Sequence, residues 1–468
     1  MLFNSLQFLV FFPLVVLLYW IMPHKWRNPM LLIASYYFYM NWEPVYALLI
    51  LLSSATTYGC ALVIGNGKYR KTSLALCLII NFGILFLYKY ANFFNATVTD
   101  LLSLAGIKMY VPQFTLLLPV GISFYTFQAI GYMLDVYRGT IKPERNFFTY
   151  ALFVSFFPQL VAGPIERAKN LLPQFHETHR FSTQALMAGL NMMVWGYFMK
   201  LCIAENVAPY VDAVFNNIDM HNGKSIWLAS FFFAFQIFCD FGGYSLIAIG
   251  AAKCMGFTLM QNFRQPYLAR DVKDVWRRWH ISLTTWFTDY VYKPLGGSRC
   301  SQAKHHRNIM ITFLTSGLWH GAAWTFVVWG GYFGLLQVLL ILKQKYLPFR
   351  LPWRRVGVFF SMLLTFLAWV LGFMVFRANS LRDAATALTK MAHPEGMLFN
   401  GEGKPAIALS LLLIALLMAR EIRNERGWGI ALTSNKNVYV SAISTAVLVI
   451  VILLCAHFQS GQFIYFQF

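Results

Sequence analysis

The sequence predicts an all-α, polytopic membrane protein, and three observations carry that prediction. Of 468 residues, 58% are hydrophobic and 12% charged, with a mean hydropathy of +0.54, a balance that ordinary soluble globules of this length do not show. The apolar residues gather into roughly eleven runs, judged against the ~20 residues that a helix needs to cross a bilayer. The 38 Lys and Arg, which set a formal net charge of +20, fall in short clusters between those runs, as basic residues do in cytoplasmic loops. That distribution argues against nucleic acid as a partner and for membrane lipids. The seven cysteines are scattered, odd in number and without a CxxC pair, so neither a disulfide framework nor a metal site is expected.

Taken in order, residues 6–22 are apolar, have no basic residue before Lys25 and no small-residue cleavage site after. They read as a retained span and not as a signal peptide. Further runs cover 30–39, 45–64, 74–88, 115–134, 148–165, 186–207 and 227–252, and after a central region 356–376, 406–418 and 438–456. Lys68, Arg70 and Lys71, and later Arg138, Lys142 and Arg145, mark cytoplasmic loops, whereas 91–113 is nearly uncharged and reads as external. Lys25 and Arg27 also look cytoplasmic, so 30–64, interrupted at Pro44, is expected to enter and return. The whole chain, 1–468, reads as one membrane-embedded domain, with 236–334 as its core segment and 438–468 as a C-terminal helix and tail.

Two stretches put Pro and Gly inside apolar runs: Leu118-Pro119-Val120-Gly121 and Phe157-Pro158-Gln159-Leu160-Val161-Ala162-Gly163-Pro164. Unwound backbone at membrane depth requires protein or water around it. Asp240, in Cys239-Asp240-Phe241-Gly242-Gly243-Tyr244-Ser245, lies mid-run, so it must be paired, hydrated or neutral; it reads as an anchor for a neighbouring helix.

The organising stretch is Gly317-Leu318-Trp319-His320-Gly321-Ala322-Ala323-Trp324. No Asp, Glu, Lys or Arg occurs between Arg307 and Lys343. On a helix from Arg307, His320 lies about 20 Å along the axis, which is membrane depth. Gly317 and Gly321 flank it where a helix can break. Upstream, Arg264, Arg270, Lys273, Arg277 and Arg278 form the densest basic cluster. Continued as a helix, Trp276, His280, Leu283, Phe287 and Tyr290 share one face, with Lys273, Arg277 and Arg278 directed elsewhere, toward lipid headgroups or the phosphates of a cytoplasmic donor.

Trp276-Arg277-Arg278-Trp279-His280-Ile281-Ser282-Leu283, Asp289-Tyr290-Val291-Tyr292, Pro294-Leu295-Gly296-Gly297 and Gly317-Leu318-Trp319-His320-Gly321-Ala322 resemble the membrane-bound O-acyltransferase family. The match is to its bacterial branch of alginate O-acetyltransferases, peptidoglycan O-acetyltransferases and the teichoic acid D-alanyl transfer protein, and runs from Phe3-Asn4-Ser5 to Phe463-Ile464-Tyr465-Phe466. The resemblance implies tilted helices around a funnel, with a central tunnel joining a cytoplasmic donor to an external acceptor. It implies His320 as the catalytic histidine and His280 as the second. Leu246 and Phe333 depart from residues common in this branch, Asp and His respectively.

The chemistry agrees with the resemblance. Transfer of an acyl group from a thioester to a hydroxyl needs a base of near-neutral pKa, and a desolvated histidine supplies one. His320 is expected to accept the proton, His280 to orient the acceptor or donate to the oxyanion, and Trp319 and Trp324 to wall the tunnel or simply to pack. Arg264, Lys273, Arg277 and Arg278 are the candidates for binding the donor, expected to be acetyl-coenzyme A, with no bound cofactor. The expected function is O-acetylation of an extracytoplasmic polysaccharide, alginate-like or peptidoglycan, from a bacterial inner membrane, with a second polysaccharide O-acetyltransferase as partner. D-alanyl transfer to teichoic acid is the nearest alternative; a transporter with an Asp240, His280 and His320 relay is the alternative of another class. Tyr465, in the C-terminal Gly461-Gln462-Phe463-Ile464-Tyr465-Phe466-Gln467-Phe468, resembles an acyl-carrying tyrosine of a companion protein. It reads equally as an aromatic interfacial anchor.

Overall fold

Helices are the only regular secondary structure among the described residues of the computed structural model, which are 1–107, 113–114, 117–161, 163–347, 354–427 and 438–457. Seven are long and apolar enough to cross a membrane: Pro44–Gly65, Arg70–Leu104, Thr183–Phe215, Gly223–Cys254, Trp324–Tyr346, Val356–Arg377 and Lys404–Arg426, and Leu6–Ile21 and Tyr439–Cys455 are shorter apolar helices. The all-α, multi-pass reading therefore holds. Among the remaining expected runs, 30–39 lies within His24–Met40, while the helical parts of 115–134 and 148–165 among the described residues are the shorter helices Ile122–Tyr137, Phe147–Ser155 and Phe157–Leu160. The chain divides into two compact units, Met1–Leu190 with Ala248–Met260, and Asn191–Ile247 with Gln261–Phe468.

In the first unit both Pro and Gly signatures fall at helix ends, and their described residues are buried except Leu118 and Gly121, which are half-buried. Gly121 adopts φ +74°, and a β-carbon there would press on the Leu160 carbonyl oxygen, so a residue with a side chain is excluded twice over. Phe156 leaves helical geometry between two helices, and the carbonyl of Phe153 left by the break accepts from the amides of Gln128 at 2.6 Å and Gln159 at 2.7 Å. The Phe157 N–H donates to Ser35 Oγ at 3.1 Å. Such compensation is what irregular backbone inside an apolar region requires.

The second unit contains the central region. The charge-free run from Arg307 to Lys343 is not one helix but two, Gln302–His320 and Trp324–Tyr346, joined by Gly321-Ala322-Ala323. The break falls at Gly321, which is extended at φ −159° and ψ 153°. Gly317 stays helical and serves packing: a β-carbon there would overlap the Phe326 carbonyl, and one at Gly330 the Phe313 carbonyl. Close backbone approach through small residues is how helices pack where burial of apolar area supplies little drive.

The Asp240 side chain is paired, as its position demanded. Lys200 Nζ lies 2.6 Å from Asp240 Oδ1 and 2.5 Å from Glu205 Oε1, and all three side chains are buried. Lys200 sits in a π-helical stretch, Phe198–Ala204. Gly196 and Gly243 hold this crossing close, since a β-carbon on either would strike the other's carbonyl oxygen.

Candidate active site

His320 is the last residue of its helix because Gly321 turns the chain out of helical geometry. Its side chain is 4% exposed. The rings of Trp319 and Trp329 stand nearly perpendicular to it at 5.0 Å, and Phe376 lies at 5.7 Å. Across from it is His280, with ring centroids 6.5 Å apart. The two histidines singled out in sequence are thus neighbours, although forty residues of chain separate them.

His280 does not sit on a continuous helix, which corrects the one-face expectation for Trp276 to Tyr290. The helix Val272–Trp276 stops, His280 takes a left-handed conformation at φ 41° and ψ 52°, and Ile281–Phe287 begins after it. The cause is a tertiary pairing with 262–264: Arg264 N–H donates to the Arg278 carbonyl at 2.8 Å and Ile281 N–H to the Asn262 carbonyl at 2.9 Å. Left-handed backbone is uncommon for a non-glycine residue and persists where surroundings over-determine it. His280 is 1% exposed, with Phe241 edge-on at 4.6 Å and its Nδ1 3.0 Å from Asn262 Oδ1. His280 lies outside the seven long helices. Burial first, and the His320 ring second, push its imidazole well below the ordinary value, so the ring is neutral.

The basic cluster divides. Lys273 and Arg277 line a cavity of about 420 Å³ together with His305, Trp276, Leu283, Phe287, Phe313, Thr284 and Ser316. Ser316 is one helical turn before His320, and Thr284 is one turn after His280. Arg278 is committed elsewhere: its guanidinium is bidentate to Glu425 at 2.8 and 2.9 Å, and its Nε meets Asp274 at 3.0 Å. Arg264 is absent from the cavity lining. An apolar chamber of this size with cationic groups on its wall can hold a thioester arm and its phosphates.

Of the other residues read from sequence, Trp319 is buried against His320, whereas Trp324 is half exposed. Phe333 packs between Trp276 at 5.4 Å and Trp369 at 4.6 Å. Tyr465 lies outside the described residues. Sequence reasoning did not single out Asn262, Trp329, Phe376 or Lys200. None of the four carried a local signal; the partner of Asn262, for one, lies eighteen residues on.

Residues 141–382 match the model of the membrane-bound O-acyltransferase family. A protein named probable alginate O-acetylase in Azotobacter vinelandii is 39% identical over 90% of this chain and 83% of its own length. A peptidoglycan O-acetyltransferase of Helicobacter pylori is 33% identical, over 85% of this chain and 81% of its own. A teichoic acid D-alanyltransferase of Bacillus subtilis is 26% identical, over 57% and 70%.

Proposed function

Because the chain belongs to the membrane-bound O-acyltransferase family, we propose that it moves an acetyl group from acetyl-coenzyme A to an extracytoplasmic polysaccharide, from a bacterial inner membrane. The acceptor oxygen attacks the thioester carbonyl while His320 takes the hydroxyl proton. The C–S bond then breaks, and the same proton returns to the thiolate. An imidazole held among Trp319, Trp329 and Phe376 is the kind of group that can take a proton and return it in both halves of that exchange. Lys273 and Arg277 are assigned to the donor's phosphates, and the cavity's apolar wall to its pantetheine arm. Arg278, spent on Glu425 and Asp274, is assigned to holding that wall in place.

What supports this reading most is that the cavity wall ends one helical turn from each of the paired histidines. Acetyl is preferred over D-alanyl because the O-acetylating relatives match more of the chain at higher identity. A second transferase outside the membrane is proposed to accept the acyl group, directly or through Tyr465. The experiment is to incubate the purified protein in vesicles with acyl-labelled acetyl-coenzyme A. Label is expected to leave the thioester with wild-type protein and to stay on it with His320→Ala; an intact thioester in both would remove the donor assignment.

A further inference from the structure

Asn262 sits at the centre of a buried polar cluster that the acyl-transfer scheme does not use. Asn262, Ser245, His280 and Ser282 are each at most 1% exposed, so each hydrogen bond among them is made out of water, where direction matters most. The Asn262 Nδ2 donates to Ser245 Oγ at 3.1 Å. Its Oδ1 faces Ser282 Oγ at 2.9 Å, the Ser282 backbone N–H at 3.4 Å and His280 Nδ1 at 3.0 Å.

The Ser282 N–H decides which way the amide points. A backbone N–H only donates, so the amide face opposite it is the oxygen; turned over, the amide NH₂ would oppose it donor to donor. An amide oxygen only accepts, so the nitrogen 3.0 Å away at His280 carries a hydrogen. The other tautomer would set two lone pairs against each other at that distance. We propose that Asn262 is a positioning residue that fixes the His280 ring with a proton on Nδ1, so that Nε2 is the nitrogen able to accept a hydrogen bond.

The consequence separates the two roles read for His280 from sequence. With Nε2 as acceptor, the ring orients an incoming hydroxyl by taking its hydrogen bond, and does not donate to an oxyanion. Helix Gly223–Cys254 takes part through Ser245, while Phe241 of the same helix packs edge-on against the His280 ring. The functional arm of this inference rests on the proposed acetyl transfer; the tautomer does not.

The test is nitrogen NMR of the full-length protein labelled at its histidines, with the His280 signals identified by their loss in His280→Gln. A protonated Nδ1 and a pyridine-type Nε2 are expected in the wild type; a protonated Nε2 overturns the inference without touching the acyl-transfer reading. In parallel, Asn262→Ala is expected to lower kcat at least about tenfold with donor KM within about twofold, since an imidazole in the wrong tautomer loses its role while binding survives. Asn262→Asp, which keeps an acceptor at Nδ1, is expected to recover most of that loss. An Asn262→Ala protein with wild-type kcat and an unchanged His280 spectrum overturns the inference. If Asn262→Ala does not fold, the wild-type spectrum decides; if wild-type protein spares acetyl-coenzyme A, the donor assignment fails and the spectrum still decides the tautomer.

Discussion

His320 lies where the chain holds an imidazole away from water: at a helix end, enclosed by Trp319, Trp329 and Phe376. Removing a positioned general base costs ~10² to 10⁴ in rate. His320→Ala is therefore expected to lose acyl transfer by that factor while keeping its thermal transition, and activity within a few-fold of wild type would end the assignment. His280→Ala is expected to impair transfer less, since in the proposed scheme the ring orients the acceptor and His320 carries the proton. Both histidines were legible in sequence, because each stands in a motif and His320 interrupts a charge-free run. Asn262 was not, since an amide gains its role only when folding sets it 3.0 Å from a ring eighteen residues away. Phe376 and Trp329 were not legible for the same reason: an aromatic that packs a core and one that encloses an active histidine look alike in one dimension.

Helices and their breaks place these side chains, and the glycines decide the breaks. The stop after His320 could be read from Gly321 alone, but Gly317 turned out to permit a close crossing and not a break. Gly317→Val is expected to lower the thermal transition measurably, because its branched side chain meets a backbone carbonyl that no rotamer avoids; overpacking of this kind costs about 1–3 kcal/mol. The helix expected across Trp276 to Tyr290 had good periodicity and no local breaker. It gave way to a tertiary backbone pairing at 262–264, which periodicity does not encode. Asp240 was expected to anchor a neighbouring helix; the anchor is Lys200, whose charge sits inside an apolar run and was invisible as a partner. Lys200→Met is expected to destabilise the protein by about 3–5 kcal/mol, the cost of leaving buried charge unpaired. Neutralising Asp240 and Glu205 as well, by Asn and Gln, is expected to restore part of that loss in a thermal or denaturant titration. A Lys200→Met protein as stable as wild type would show that the pair is not an anchor.

At the scale of the whole molecule, composition and the basic loops disclosed a multi-pass helical membrane protein, and the motifs disclosed its family. Hidden was the division of labour within the basic cluster. Charges adjacent in sequence diverge once folded, so Arg277 lines the cavity while Arg278 is bound to Glu425 and Asp274. Arg277→Glu is accordingly expected to raise the apparent donor KM and to blunt its dependence on ionic strength, with stability unchanged. Arg278→Glu is expected to lower stability instead, and identical effects of the two would erase the distinction. Tyr465 is tested separately, by mapping the acetylated residue by mass spectrometry after a pulse of labelled donor; label on Tyr465 supports the relay, and normal polysaccharide acetylation by Tyr465→Phe without such label removes it. The central claim, that this chain supplies acetyl groups to a polysaccharide through His320, is tested most directly in cells deleted for the gene. Ester-linked acetate on the isolated extracytoplasmic polysaccharides is measured after complementation with wild type and with an equally abundant His320→Ala protein. The account predicts acetate restored by the first and absent with the second; equal acetate from both would contradict it.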